Sequence, residues 1–287
     1  MNPTPSPTAT PIQFHGIPAL QLNGPQGATA IISLQGAQVL SWIPAGGQEW
    51  LYLSEKGDYS GKKSIRGGVP VCFPQFSNQG NLPKHGFVRC VPWQLLNQRA
   101  DEKSLSVTLA LQDSDATRQQ WPHAFAIELS IRLGANELGI TLDVENTGTQ
   151  PFSFTAALHT YLRVSDIAAI QIGGLGGVAF RDAANGNAES IQSEAMLKID
   201  GEVDRVYHAA PELLTVVESK RSLAIQAQGF AETVVWNPGP ANCAALSDML
   251  DDDHRRMICV EAACADVGIA LAPGQHWRGS QKLNKCG

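Results

Sequence analysis

The amino-acid sequence predicts an all-β protein, a large antiparallel sandwich or barrel with few short helices. Three observations lead to this prediction. Apolar and polar residues alternate with a period of two in several segments, the apolar segments are short and separated by Gly, Pro, Asn or Asp, and helical patterns are scarce. The same pattern lacks alternating strand–helix units, which excludes a nucleotide-binding fold of the Rossmann type.

The clearest strands are residues 105–111, 127–133 and 138–144, in which every second residue is apolar. Such alternation places the apolar side chains on one face of a strand and the polar ones on the other. The connection 134–136 is short and contains Gly and Asn, which predicts a hairpin between the second and third strands. The other predicted strands are 28–34, 37–43, 50–53, 152–158, 213–217, 223–227, 233–236, 257–261 and 268–271.

One short helical turn is predicted after Ser114, which is a good N-cap residue, and it ends at Trp121 because Pro122 follows. The glycine-rich stretch 173–177 is not followed by a helical pattern, so it is predicted to be a loop.

The chain of 287 residues contains no internal repeat, and an all-β domain often reaches about 250 residues. Residues 1–11 are rich in Pro, Thr and Ser and predict a disordered N-terminal arm. Residues 12–287 are predicted to form a single β-sandwich domain.

Composition excludes several classes of partner. With 43% hydrophobic and 17% charged residues the chain has enough apolar material for a core, and its net charge of −6 disfavours nucleic acid. No apolar run is long enough to cross a membrane, and no secretory signal is apparent. A monomer is the default expectation. Six cysteines without a CxxC pair predict free thiols in a reducing cytoplasm: Cys72, Cys90, Cys243, Cys259, Cys264 and Cys286.

The segment 65–93 is rich in Gly and Pro and gathers four potential cations, Arg66, Lys84, His85 and Arg89, in an acidic chain. Loops on a rigid sheet often build sites, and a local excess of cations suits a phosphate group. The alternative is a loop whose charges face solvent.

Two further residues are candidates for proton transfer. His159 ends the apolar run 154–158, where it is either a core histidine or a general acid. Glu261 ends another apolar run, where it is either an exposed strand end or a general base with a raised pKa. The seven histidines show no HExxH or HxH spacing, so no metal site is predicted.

Six motifs, in order between about residues 30 and 275, resemble the aldose 1-epimerase (galactose mutarotase-like) superfamily, and most of all its hexose-6-phosphate mutarotase branch, the glucose-6-phosphate 1-epimerases. They are RGGVPVCFPQF at 66–76, HGFVR at 85–89 with a Trp at 93, WPHAF at 121–125, LHTY at 158–161, DRVY at 204–207, and WNP at 236–238 leading through SDM at 247–249 to CVE at 259–261.

The resemblance implies a large twisted antiparallel β-sandwich with its site in a concave face. It implies that His159 and Glu261 are the catalytic acid and base, and that no cofactor is needed. It also implies that Asp204 accepts hydrogen bonds from sugar hydroxyls, and that Trp236 offers the sugar ring an apolar face.

The substrate implied is a hexose 6-phosphate. Arg66 and Arg89 would bind the phosphate, with Lys84 nearby and His85 donating to the sugar. In this branch a lysine is common shortly after WNP, whereas residues 239–245 contain no cation, and Lys84 is a candidate to compensate.

Three alternatives remain open. A mutarotase for a neutral aldose is disfavoured because it would leave two buried guanidiniums without a counter-charge. A non-catalytic sugar-phosphate-binding protein on the same fold would not need both His159 and Glu261. A glycosidase would need two carboxylates across the scissile bond, whereas Glu261 is paired with a histidine.

Overall fold

The computed structural model describes residues 7–286, which form 21 strands and two α-helices. The strands are β1 (Thr8–Phe14), β2 (Ile17–Asn23), β3 (Thr29–Ser33), β4 (Val39–Ile43), β5 (Val71–Cys72), β6 (Gln94–Ala100), β7 (Ser104–Gln112), β8 (Phe125–Gly134), β9 (Glu137–Asn146), β10 (Phe152–Leu158), β11 (Tyr161–Arg163), β12 (Gln171–Gly173), β13 (Ala179–Asp182), β14 (Ala188–Ile191), β15 (Met196–Leu197), β16 (Val203–Tyr207), β17 (Leu214–Val217), β18 (Ser222–Gln228), β19 (Glu232–Asn237), β20 (Met257–Leu271) and β21 (His276–Cys286). The helices are α1 (Asp115–Gln120) and α2 (Gly239–Ala245), and short 3₁₀ turns lie between strands.

The strands form three antiparallel sheets. A four-stranded sheet runs β1-β2-β3-β4, and an eight-stranded sheet runs β14-β13-β16-β19-β20-β10-β5, with β11 paired to β20. The third sheet has nine strands in the order β15-β12-β17-β18-β21-β9-β8-β7-β6. This architecture confirms the predicted all-β antiparallel sandwich.

The main core takes one face of each large sheet. Val260 and Ala262 of β20 share this core with Ile140 and Leu142 of β9 and with Leu283 of β21. Because side chains alternate along a strand, the residues between them on β20 lie on the opposite face of the eight-stranded sheet. That opposite face carries the candidate site.

Most predicted strands are confirmed within a few residues, as is the turn after Ser114, whose side chain accepts a hydrogen bond from the Thr117 N–H. The predicted strand 50–53 is wrong, because Leu51 and Leu53 form only isolated bridges. The segments 257–261 and 268–271 belong to one strand of 15 residues. The predicted loop 173–177 follows the end of β12, which includes Gly173.

The predicted disordered arm is wrong at its C-terminal end. Residues 8–11 belong to β1, which pairs with β2 over its full length. The pairing runs from Thr8 opposite Asn23 to Phe14 opposite Ile17. Residues 1–6 of that arm lie outside the described residues. Whether residues 12–287 form one domain stays a prediction. Within the described part of the chain, no helix is both long and apolar enough to cross a lipid bilayer.

Candidate active site

Strand parity brings the two predicted catalytic residues to the same face of the eight-stranded sheet. Glu261 lies between Val260 and Ala262 of β20, which point into the main core, so its own side chain points away from that core. His159 directly follows Leu158, another core residue at the end of β10. Because β10 pairs with β20, the two side chains lie close together.

The buried side-chain amide of Gln281 forms hydrogen bonds with the residues next to His159 and Glu261. Thr160, next to His159, donates its hydroxyl to the Gln281 side chain, and Gln281 Nε2 donates to the Val260 carbonyl at 3.0 Å. Thr160 O also accepts the Val260 N–H at 3.1 Å. Gln281 therefore holds the neighbours of His159 and Glu261 in register from the opposite sheet.

The glycine-rich segment predicted to build a site lies against this face. Cys72 of β5 pairs with Ala157, two residues before His159. Gly68 has a φ of +62°, and a Cβ atom there would lie 2.1 Å from the Val39 carbonyl oxygen. Only glycine allows the backbone to approach this closely. The contact fixes the position of the backbone segment that carries Arg66.

All eight predicted site residues line one cavity of about 380 Å³. The lining residues come from the loops before and after β5, from His159 between β10 and β11, from the segment that holds Asp248, and from four strands of the eight-stranded sheet, β11, β16, β19 and β20. The predicted residues are Arg66, Lys84, His85, Arg89, His159, Asp204, Trp236 and Glu261. The lining also includes four charged or hydroxyl-bearing residues for which no role was predicted, Lys62, Lys63, Tyr161 and Asp248.

His159 and Glu261 form a buried acid–base pair. The distance between His159 Nδ1 and Glu261 Oε1 is 3.3 Å, and the two residues are 7% and 2% exposed. Burial, reinforced by His85 and the nearby arginines, lowers the pKa of His159 well below its usual value. Burial and the charge of Asp204 raise the pKa of Glu261 well above its usual value. Both shifts favour the uncharged forms of the two side chains.

His85 is held as a neutral hydrogen-bond donor. Its Nδ1 accepts the Ser77 N–H at 3.2 Å and lies 3.3 Å from Cys72 Sγ. An amide can only donate, so Nδ1 carries no proton and Nε2 does. Burial, together with Arg89, Lys84 and Arg66, lowers the pKa of His85 to about 2. The ring packs edge-on against His159, with 5.1 Å between ring centroids.

Arg66 has partners inside the protein. Its guanidinium donates through Nε to Asp248 Oδ2 at 3.1 Å and through a terminal nitrogen to the Tyr161 hydroxyl at 3.0 Å. It also lies 6.0 Å from the ring of Trp236. Asp248 thus supplies a counter-charge that was not predicted from the sequence, and Arg66 alone does not argue against a neutral sugar.

Arg89 is less fully paired. One terminal nitrogen donates to the Lys84 carbonyl at 2.6 Å, and its buried Nε has no hydrogen-bond partner among residues 7–286. Lys84, Lys62 and Lys63 are exposed residues that line the same cavity. Together with Arg66 they place five cationic side chains beside three acidic ones, Asp204, Asp248 and Glu261.

Asp204 and Trp236 are neighbours across β16 and β19, where they are directly paired. Asp204 is partly buried, and burial raises the pKa of its carboxyl although Lys84 and Arg181 oppose the shift. The Trp236 ring stands edge-on to His159 and Tyr161, at centroid distances of 6.2 and 6.0 Å. Both side chains therefore border the acid–base pair.

Cys259 joins the pair to form a buried group with ligand atoms close enough for a metal ion. Burial and Glu261 raise the pKa of the Cys259 thiol well above its usual value. The histidine and carboxylate of this group contact each other directly, as the members of an acid–base pair do. The group is better suited to proton transfer than to holding a metal.

Comparison with known proteins identifies the family. The sequence model of the aldose 1-epimerase family matches residues 18–284. A protein of Cenchrus ciliaris named "Putative glucose-6-phosphate 1-epimerase" is 36% identical over 98% of this chain and 88% of the relative. A protein of the same name from Escherichia coli K12 is 38% identical over 82% of this chain and 80% of the relative.

The fold agrees with this match. The crystal structure of a "putative mutarotase" from Salmonella typhimurium superposes with a TM-score of 0.90 at 31% identity, covering 99% of this chain and 95% of the other. A galactose 1-epimerase from Lactobacillus acidophilus shares the fold, with a TM-score of 0.75, at only 13% identity. With its fold, its cavity and its sequence in agreement, the chain belongs to the aldose 1-epimerase family.

Proposed function

We propose that the chain interconverts the α and β anomers of a hexose 6-phosphate, with glucose 6-phosphate as the first substrate to test. The observation that carries the proposal is the buried His159–Glu261 pair, 3.3 Å apart, in a cavity lined by five cationic side chains. The relatives named for glucose-6-phosphate 1-epimerase activity support the same substrate class.

The reaction needs one base and one acid. Glu261 removes the proton of the C1 hydroxyl while His159 delivers a proton to the ring oxygen. The bond between C1 and that oxygen breaks, and the aldehyde forms. Rotation about C1–C2 exposes the other face of the carbonyl, and the two proton transfers reverse as the ring closes. The protons balance over the cycle, and each positioned group contributes about 10²–10⁴-fold.

The proton needed for this cycle is already present in the pair. A neutral Glu261 with a neutral His159 holds the same number of protons as an ionised Glu261 with a protonated His159. Moving that proton from Glu261 to His159 through a hydroxyl of the bound sugar converts the first form into the reactive one, since the two groups lie side by side. Sugar hydroxyls stabilise the charged form once substrate is bound, and Lys84 and Arg89 favour the ionised Glu261 within it.

The residues around the pair orient the sugar. The neutral His85 donates from Nε2 to the ring oxygen or to a hydroxyl, since its Nδ1 is occupied by the Ser77 N–H. Asp204 accepts from hydroxyls, and Trp236 packs against the apolar side of the ring. Their positions around His159 support these roles.

The phosphate is proposed to bind where Arg89, Lys84, Lys62 and Lys63 line the cavity. The unpaired Nε of Arg89 offers a buried donor, and charge-assisted hydrogen bonds to phosphate are about twice as strong as neutral ones. Arg66 still has N–H groups beyond those bound to Asp248 and Tyr161, so it contributes as a second guanidinium. The two lysines at 62 and 63 are candidates for the cation that is missing after WNP.

A neutral aldose is the second candidate substrate, because the Arg66–Asp248 pair is electrically balanced without phosphate. Exchange between anomers, measured by NMR magnetisation transfer at C1 for glucose 6-phosphate and glucose under matched conditions, separates the two. We expect acceleration for the phosphate alone. Acceleration for glucose alone would retain the chemistry and contradict the phosphate site. No acceleration for either, with tight binding of the phosphate, would indicate a non-catalytic binding protein.

We propose further that the protein acts as a monomer in the cytoplasm, without a cofactor. The six free cysteines favour a reducing compartment. The proposed chemistry moves protons only, and both groups that move them belong to the chain itself. Sedimentation of the purified protein tests the oligomeric state.

A further inference from the structure

A second cluster of ionisable side chains crosses the eight-stranded sheet away from the cavity. Five strands that are neighbours in the sheet, β14, β13, β16, β19 and β20, each contribute one residue at or next to the strand. None of the five residues lines the cavity. They are Glu189, Arg181, His208, Glu232 and Asp266.

Glu232 is the unusual member, because it is a carboxylate with only 1% of its surface exposed. Its Oε2 accepts the backbone N–H groups of Ala265 and Asp266 at 2.5 and 2.9 Å. Its Oε1 has no hydrogen-bond partner among residues 7–286 and lies 3.9 Å from His208 Nδ1. A buried, unpaired carboxylate oxygen is costly, so its orientation toward His208 requires an explanation.

His208 has the arrangement of a metal-binding histidine. Its Nε2 lies 3.0 Å from Glu189 Oε2, so it donates its proton to that carboxylate. Histidines that bind a metal through one ring nitrogen almost always donate the other N–H to a carboxylate, a carbonyl or water. This hydrogen bond leaves the lone pair of Nδ1 on the side of Glu232.

Asp266 completes a set of three ligands. One carboxylate oxygen of Asp266, one of Glu232 and a ring nitrogen of His208 all lie within 4.8 Å of one another. Arg181 donates two hydrogen bonds to Asp266, at 2.9 and 2.7 Å, and thereby fixes the orientation of its carboxylate. With three carboxylates and one guanidinium the cluster has a formal charge of −2, which a divalent cation balances.

We propose that His208, Glu232 and Asp266 bind a divalent transition-metal ion of the zinc class, with Glu189 as a positioning residue. Tetrahedral zinc holds nitrogen and oxygen ligands at about 2.0–2.2 Å, so two ligand atoms lie about 3.3–3.5 Å apart. The 3.9 Å between Nδ1 and Oε1 needs only a small contraction to reach this value. An imidazole nitrogen among the ligands favours zinc over magnesium or calcium. The bound ion would join β16, β19 and β20.

Titration of the full-length, chelator-treated protein with ZnCl₂ in a calorimeter tests the proposal, with MgCl₂ as the comparison. We expect one site for Zn²⁺ and none of similar affinity for Mg²⁺. His208→Ala, a change at an exposed residue, should weaken Zn²⁺ binding at least 10-fold. Glu189→Ala should weaken Zn²⁺ binding about 10- to 100-fold, because it removes the hydrogen bond that orients the His208 ring. The matched control is His276→Ala, because His276 also lies near a carboxylate, 3.7 Å from Glu145. This variant should bind Zn²⁺ as tightly as the wild type does.

A second measurement identifies the ligand atom. In ¹H–¹⁵N spectra of the imidazole groups, Zn²⁺ should shift the Nδ1 resonance of His208 and leave that of His276 in place. The proposal is overturned if the wild type binds Zn²⁺ no more tightly than His208→Ala does. It is equally overturned if the Nδ1 resonance of His208 does not move at saturating Zn²⁺.

Discussion

His159 Nδ1 and Glu261 Oε1 lie 3.3 Å apart at a buried point of the sheet, yet the contact lacks the geometry of a hydrogen bond. Nδ1 of His159 and Oε2 of Glu261 both lack hydrogen-bond partners among residues 7–286. A pair arranged in this way is polar, close and poorly satisfied by its protein neighbours. It combines a cost to the folded state with an acid and a base placed side by side, which is a common trade between stability and activity.

Glu261→Gln is therefore expected to stabilise the fold while it abolishes activity. The folded-state pKa of Glu261 lies above its unfolded value of 4.5. The free energy of unfolding therefore decreases as pH rises from 4.5 through the folded-state pKa. Each pH unit in that window costs about 1.4 kcal/mol, and a neutral glutamine avoids the cost. Urea unfolding of both proteins at pH 5 and pH 8 should show a larger gain for the variant at pH 8. An equal difference at both pH values would contradict the raised pKa.

His85 is expected to make the protein sensitive to acid. Its folded pKa of about 2 lies far below its unfolded value of 6.5, so between these values the unfolded chain binds a proton that the folded chain does not. Stability attributable to His85 is full above pH 6.5 and falls as pH decreases, by about 1.4 kcal/mol per unit. His85→Asn should flatten the loss between pH 6.5 and 5, measured by denaturant unfolding. The exposed control His276→Asn should leave the slope unchanged, and a wild-type slope in His85→Asn would refute the assignment.

Arg89→Gln should weaken the binding of the phosphate without disabling the acid–base pair. Loss of a charge-assisted hydrogen bond costs about 1.5–3 kcal/mol, which corresponds to a KM for glucose 6-phosphate about 10- to 150-fold higher. The kcat should change little, because Arg89 does not contact the reacting atoms in this account. Arg99→Gln, on β6 and outside the cavity lining, is the control with the same loss of charge. An unchanged KM in Arg89→Gln would remove Arg89 from the phosphate site.

Gly68→Ala tests the close approach that fixes the Arg66 loop. The new Cβ atom would lie 2.1 Å from the Val39 carbonyl oxygen, whereas at Gly16 nothing lies within 4 Å, and both glycines have a positive φ. Gly16→Ala should lower the free energy of unfolding by about 1–2 kcal/mol, because only the left-handed backbone conformation disfavours alanine there. Gly68→Ala should cost about 1–3 kcal/mol more because of overpacking. Equal melting temperatures for the two variants would contradict the steric argument.

Regular strands were predictable where one face is buried by apolar residues. Strands β8 and β9 alternate fully because their inward side chains, such as Ile131 and Ile140, meet the core between the large sheets. Strand β21 escaped prediction because Gly279 and Gln281 occupy inward positions, so its apolar pattern is interrupted. Gln281 is used there to bind Thr160 and Val260, which no local pattern reveals.

The site was predictable where a polar residue ends an apolar run, as His159 and Glu261 do. The partners of Arg66 were not, because Asp248 is 182 residues away in sequence and nothing local links the two. Tyr161 and Asp248 lie within the LHTY and SDM motifs, so the resemblance pointed to their segments without giving them a role. Lys62 and Lys63 carried no signal beyond their charge, since exposed lysines are common on any surface.

The central claim is that His159 and Glu261 exchange protons with the sugar. Anomer exchange of glucose 6-phosphate at neutral pH, measured by NMR magnetisation transfer for the wild type, His159→Asn and Glu261→Gln, tests it most directly. We predict that each variant loses at least about 10²-fold in kcat while it still binds the sugar phosphate. Wild-type turnover in either variant would contradict the claim.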